Sequence, residues 1–251
     1  MSVETEAPAA GAATGPGLSL GQRVVRIFVR PADAWRGLEG RPQWWFPLIL
    51  SSLVAVAFTA ALYHRAMVPM QLEMFDRMVE SGKLPQEQAQ VIADKMGATS
   101  SYVQAIVRAP LGPFVVLLFQ ALIVWLGVGF ILGGKFRYRL ALETVAWASL
   151  VNIPSMVITG ILAWFTESMD VRLGFGALMP SMHDASALQS GITLFLEAIG
   201  PFAVWYLFVL VLGASALSGL PRKNVAWVLV SLYLALSGLF AAVGAMFLHM
   251  M

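Results

Sequence analysis

"APLGPFVVLLFQALIVWLGVGFILGG", residues 109–134, contains no charged side chain. A helix needs about 20 apolar residues to cross the hydrocarbon core of a bilayer, where every backbone polar group must be satisfied within the segment. The stretch meets this requirement and predicts a transmembrane helix. The whole chain agrees, since 59% of its residues are hydrophobic and 12% are charged. Soluble domains carry about 25% charged residues, so the composition is that of a membrane protein.

Four further stretches have the same character, and together they predict an all-α membrane protein with five transmembrane helices. Residues 1–21 are small, polar and rich in Pro and Gly, which predicts a disordered tail and not a cleaved signal peptide. Residues 22–251 are predicted to form one membrane domain. The predicted spans are residues 43–64, 110–134, 141–166, 191–219 and 224–249.

Lysine and arginine in the short loops predict the orientation, because the cytoplasmic side carries their excess. The N-terminal segment, the loop 135–139 and the loop 222–223 are basic, whereas the segments after the first and third spans mix cations with acidic residues. The N-terminus is therefore predicted inside and the C-terminus outside. The predicted location is a bacterial cytoplasmic membrane.

The sequence shows no sign of an enzyme. It has no cysteine, which excludes disulfides, thiolate metal sites and cysteine nucleophiles. It contains no Gly-rich phosphate loop, no His-Glu-x-x-His and no Gly-x-Ser-x-Gly. A net charge of +2 gives no reason to expect nucleic-acid binding. We expect no catalytic residue, cofactor or metal ion.

Four residues form a candidate intramembrane polar site: Glu143, Asn152, Pro154 and Glu197. Glu143 lies four residues after Arg139, and we favour an interfacial ion pair between them. Pro154 removes a backbone hydrogen bond and is expected to kink the third span. Asn152 can bond a freed carbonyl or a neighbouring helix, which we favour over contact with a substrate.

Glu197 precedes a helix-breaking Gly200-Pro201 pair, and two interpretations stay open. Within the fourth span it would be a protonatable group, a cation ligand or a carboxylate held by free amides of a broken helix. If the span begins near Ala198, Glu197 lies in the outer headgroup region, which is the interpretation we favour.

Residues 22–41 alternate apolar and basic side chains and predict a short helix in the cytoplasmic headgroup layer. Its arginines would then contact anionic lipids. The simplest role is to anchor the first span, and the alternative is a docking face for a cytoplasmic partner. The candidate cytoplasmic interface consists of Arg23, Arg26, Arg30 and Trp35.

A longer segment between the first two spans, residues 67–108, is predicted to form amphipathic helices on the outer side, over about 69–81 and 85–97. His64 and several methionines line its beginning, and thioethers with an imidazole are ligands that select Cu(I). However, Pro69 is expected to interrupt this row. We therefore favour a candidate outer docking face, formed by Met70, Met74, Phe75 and Met78, and keep copper as a remote alternative.

The layout resembles the Yip (Ypt-interacting protein) domain family of five-pass membrane proteins. The resemblance rests on "VVRIFVRPADAWRGLEGRPQWWFPLIL" before the first span, with Pro31, Trp35 and Pro47, and on "LGGKFRYRLALETVAWASLVNIPSMV" with Pro154. It implies a membrane-trafficking type of protein that associates with small GTPases in eukaryotic members. The sequence looks bacterial, so a GTPase partner is not expected here, and the resemblance carries over no catalytic residue.

Three functions are then compatible with the sequence. The first is a non-enzymatic scaffold or adaptor that binds the bilayer and other membrane proteins or itself. The second is a small transporter or channel component that uses Glu197 and the Asn152/Pro154 break. The third is Cu(I) binding by His64 and the methionines.

Overall fold

The computed structural model of the protein describes residues 18–179 and 186–250. All regular secondary structure in these ranges is helical. The first helix begins at Leu20 because Ser19 and Gln22 form a reciprocal cap, so the end of the predicted tail belongs to a helix. Residues 1–17 of that tail lie outside the described residues. The α-helices are α1 (Leu20–Val29), α2 (Trp45–Leu62), α3 (Val68–Glu80), α4 (Gln86–Gly97), α5 (Thr99–Arg108), α6 (Leu111–Trp125), α7 (Tyr138–Ser149), α8 (Asn152–Thr166), α9 (Ala187–Ala198), α10 (Pro201–Ser218) and α11 (Arg222–Met250).

The described residues contain four helices long and apolar enough to cross a membrane. The pair α7–α8 makes a fifth candidate if its two bent halves form one span. The prediction of an all-helical chain with several apolar spans is therefore confirmed. The four helices are Trp45–Glu80, Thr99–Ile131, Pro201–Ser218 and Arg222–Leu248.

The first of these helices is longer than predicted because α2 runs on into α3. A π-helical turn, Tyr63–Met67, joins the two. Pro69 lies near the start of α3, two residues after this π-helical turn. The helix continues through Pro69, so His64 and the methionines share one helix and the expected interruption is wrong. Helices α4 and α5 follow, and we name the end of the bundle that carries α3–α5 the outer end, after the predicted orientation.

Helices α7 and α8 meet at a bend of 41°. The bend falls at Leu150 and Val151, just before Pro154. A continuous helix would need residue 154 to donate to the carbonyl of Leu150, and proline has no N–H to donate. The carbonyl accepts instead from Ile153 at 3.1 Å, a tighter turn that redirects the chain.

The predicted span 191–219 is not one helix. Helix α9 ends at Ala198 and α10 begins at Pro201. The residue before a proline disfavours helical dihedrals, and Gly200 is extended at φ −135° and ψ 176°. Helix α9 packs antiparallel to the outer part of α11, where Gly191 faces Ala245 and Gly238 faces Phe195.

Helix α7 forms the centre of the bundle. Its residues 140–148 are all buried, including the fully enclosed Trp147 and Glu143. Helices α6, α10 and α2 surround it. A stretch buried on every side has no amphipathic stripe, which places α7 in the core of the fold.

Candidate functional site

A polar cavity of about 240 Å³ lies near the break between α9 and α10. Polar side chains from five helices converge on it, although they are far apart in sequence. Apolar surroundings make such convergence costly, so a group of this kind in a membrane bundle is a candidate binding site. These side chains are Gln120 of α6, Asn152 and Ser155 of α8, Glu197 of α9, Tyr206 of α10 and Tyr233 of α11.

The loop between α8 and α9 holds Glu197 in this cavity. Oε1 of Glu197 accepts from the backbone amides of Leu173 and Gly174, both at 2.9 Å. A Cβ on Gly174 would lie 2.2 Å from the carbonyl oxygen of Glu197, so only glycine lets the two backbones approach so closely. The loop therefore fixes the orientation of the carboxylate.

The second carboxylate oxygen, Oε2 of Glu197, is buried and has no hydrogen-bond partner among the described residues. A Cβ on Gly176 would lie 2.8 Å from this oxygen. Buried polar atoms normally find a partner, and an unpaired one is costly. Glu197 thus carries one buried carboxylate oxygen, beside Gly176, whose hydrogen-bonding capacity no described residue uses.

Two tyrosine hydroxyls complete the polar wall. The Tyr206 hydroxyl donates to Oε1 of Gln120 at 3.0 Å. The Tyr233 hydroxyl donates to the carbonyl of Ala198 at 2.6 Å, and so satisfies an acceptor that the end of α9 leaves free. These bonds tie α6 to α10 and α9 to α11 around the cavity.

The four residues of the predicted polar site do not form one group. Glu197 and Asn152 line the same cavity, whereas Pro154 shapes the bend beside it and Glu143 lies elsewhere in α7. The predicted site did not include Gln120, Tyr206, Tyr233, Gly174 or Gly176. Gln120 is the one with a clear signal, because it is a polar residue inside an otherwise apolar run.

Glu143 is fully buried, and its main partner is the start of α2. Oε1 accepts from the backbone amide of Gln43 at 2.7 Å, whereas the predicted partner Arg139 is 4.0 Å away. Amides at a helix N-terminus lack helical acceptors and carry partial positive charge, so they suit a carboxylate. The predicted ion pair is present at the limit of contact, although Glu143 itself is fully buried.

The candidate cytoplasmic interface divides into buried and accessible residues. Arg23 is 1% exposed and donates to the carbonyls of Ala34 and Arg36, and its guanidinium lies 5.4 Å from the centre of the Trp147 ring. Burial lowers the pKa of Arg23 to about 10, so it remains a cation at neutral pH. Arg26 is half-buried and Arg30 is exposed.

Trp35 is 2% exposed, and its ring fills the space beside Gly213 of α10. A Cβ at position 213 would lie 2.6 Å from the ring. The expectation that Arg23 and Trp35 face lipid or a partner is therefore wrong, because these two side chains attach the N-terminal segment to the bundle. The pattern of alternating cations did not distinguish lipid contact from burial against α7 and α10.

The methionine row lies mostly on the surface of α3. Met70 and Met74 are 47% and 41% exposed, and Phe75 and Met78 are half-buried. The ring of His64 lies 5.1 Å from that of Tyr102, so its neighbours are aromatic. The described residues contain no group of three His, Cys, Asp or Glu side chains able to hold a metal ion.

These features define a polytopic, all-helical integral membrane protein with a polar cavity between its helices. The family model of the Yip1 domain matches residues 25–245, nearly the whole chain. The chain belongs to the Yip1 domain family, which confirms the resemblance seen in the sequence. Neither a curated protein nor a solved structure matches it.

Proposed function

We propose that the protein is a non-enzymatic scaffold or adaptor of the Yip type, which organises a bacterial cytoplasmic membrane by binding other membrane proteins or copies of itself. In this proposal residues 22–251 are one membrane unit with five spans, its N-terminus inside and its C-terminus outside. The cations of the loops 135–139 and 222–223 support that orientation. Neither a small GTPase nor nucleic acid is part of the proposal.

The unpartnered face of α3 carries the proposal. None of the residues of α3 is buried, and Met70 and Met74 stand exposed one helical turn apart. Glu73 and Arg77, paired at 2.6 Å, lie three residues after Met70 and Met74 respectively and so share the exposed side of α3 with them. Continuity with α2 fixes the position of α3 at the outer end, so its apolar face is held where a neighbouring membrane protein can reach it.

Site-directed photocrosslinking tests this docking face in the native membrane. A photoreactive phenylalanine analogue at position 74 is expected to give a discrete crosslinked band, whereas the same group at Asp76, on another side of α3, is not. The double variant Met70→Gln/Met74→Gln should lower partner recovery about fivefold, the effect of losing about 1 kcal/mol of apolar contact. Equal crosslinking at positions 74 and 76 would exclude a specific docking face.

The cavity at Glu197 supports a second function, passage or binding of a small cation or proton. Helix α11 rises about 1.5 Å per residue, which puts Tyr233 about 17 Å from Arg222 along the helix axis. The Tyr233 hydroxyl contacts Ala198, next to Glu197. With Arg222 at one surface and a hydrocarbon core about 30 Å thick, the carboxylate would lie inside the membrane, as in proton and ion pathways.

Flux measurements in proteoliposomes test this second function, with a pH-sensitive dye for protons and radioactive Na⁺ for sodium. Glu197→Gln keeps the size of the side chain and removes its charge, and should lower any protein-dependent flux at least about tenfold. Glu80→Gln, an exposed change at the end of α3, serves as the control. Flux no greater than that of empty vesicles would reject a transport role and leave the scaffold proposal standing.

A further inference from the structure

A recess of about 660 Å³ lies between the N-terminal segment and the loop that joins α10 to α11. Three cationic side chains, Arg30, Arg222 and Lys223, line the part that we call its cationic end. Phe208, Val211 and Leu212 of α10 line the part that we call its apolar end. The lining of the recess therefore combines cationic and apolar side chains.

The cationic end carries an excess of positive charge. Arg30, Arg222 and Lys223 are exposed, and none of them forms an ion pair with another residue in the part of the chain that the structure describes. The carboxylate that shares the recess, Asp33, is already paired with Arg36 at 2.9 Å. Three cations without counterions within 660 Å³ favour an anionic occupant.

The apolar end lies on a membrane-facing part of α10. Phe208 is 56% exposed although it sits in a candidate span. Ser218 ends that span and Arg222 begins the next, so the cations stand at the membrane surface. Phe208 lies about 15 Å below Ser218 along the helix, which matches the depth of a headgroup, a glycerol and the first part of an acyl chain.

We propose that this recess binds one anionic glycerophospholipid. Its headgroup phosphate contacts Arg30, Arg222 and Lys223, and its acyl chain lies along Phe208, Val211 and Leu212. The lipid would join the segment after α1 to the hairpin α10–α11, two parts of the chain that are far apart in sequence. The proposal is independent of both the scaffold and the flux function.

Native mass spectrometry of the purified full-length protein tests the site with phosphatidylglycerol and phosphatidylcholine as probes. The triple variant Arg30→Gln/Arg222→Gln/Lys223→Gln should weaken phosphatidylglycerol binding on the order of a hundredfold and remove the preference over phosphatidylcholine. The control triple variant, Arg41→Gln/Lys95→Gln/Arg108→Gln, removes the same charge from exposed positions outside the lining of the recess and should change binding by about twofold or less.

Equal weakening in the two triple variants would overturn the site and attribute binding to net charge alone. An unchanged preference in the first triple variant would also overturn it. The single variant Lys223→Gln, at an exposed position, keeps the test valid if the triple variant does not fold, and should weaken binding about fivefold. Competition by soluble glycerol 3-phosphate as effective as that by the lipid would show a free phosphate site and contradict the acyl-chain contact.

Discussion

Glu143→Ala is expected to destabilise the folded protein by about 1–3 kcal/mol, the cost of leaving a buried hydrogen-bond donor without its acceptor. The amide of Gln43 loses its acceptor at the start of α2, and Arg139 loses its carboxylate partner. A cavity also remains in the most enclosed helix of the fold. Thermal unfolding in mild detergent, followed by tryptophan fluorescence, measures the loss.

The surface pair Glu73 and Arg77 provides a matched control. It has the same four-residue spacing and a shorter contact, 2.6 Å against 4.0 Å, but both side chains are more than half exposed. Exposed pairs contribute about 0–1 kcal/mol, so Glu73→Ala should have little effect. Glu143→Gln keeps an acceptor for Gln43 and should be milder than Glu143→Ala. Equal effects of Glu73→Ala and Glu143→Ala would contradict the buried role.

Gly174→Ala is expected to destabilise the protein by about 3 kcal/mol and to disorganise the cavity at Glu197. The added methyl would stand 2.2 Å from a backbone oxygen, which cannot move aside like the end of a side chain. The loop must shift, and the two amides that hold Oε1 of Glu197 shift with it. The unfolding midpoint should fall by roughly 6–12 °C.

Gly112→Ala is the control for this substitution. Nothing lies within 4 Å of a Cβ built at Gly112, which sits in the first turn of α6. Alanine is favoured over glycine in helices by about 1 kcal/mol, so this variant should be neutral or more stable. The same methyl group would thus have opposite effects at the two sites. A Gly174→Ala variant as stable as the unmodified protein would contradict the close approach of Gly174 to the backbone of Glu197.

Composition predicted the apolar helices well because the length of an uncharged run is a local property of the chain. The run 109–134 became most of one candidate span, and residues 224–249 became the greater part of α11. Breaks were harder to place. The Gly200-Pro201 pair is plain in the sequence. However, the length and composition of residues 191–219 do not show whether the parts before and after this pair form one straight helix or two separate ones.

The candidate site was only partly predictable, because hydropathy does not give the rotation of a helix about its own axis. Glu197 and Asn152 stood out as polar residues near breaks, and both line the cavity. Tyr206 and Tyr233 resemble ordinary interfacial aromatics in the sequence. The contact of Glu143 with Gln43 joins positions 100 residues apart, and no local pattern indicates it.

The π-helical turn Tyr63–Met67 has a consequence for how surfaces of this protein can change. In this turn the amide of Val68 donates to the carbonyl of Tyr63, five residues back, so the turn holds one residue more than an α-helical turn. Loss of one residue there would rotate α3 by about 100° relative to α2 and leave both helices intact. Met70 and Met74 would then point toward a different neighbour. The direction in which the docking face of α3 points around the helix axis thus depends on one extra residue in this turn. Deletion of that residue would turn the face toward another neighbour without changing any residue of the face itself.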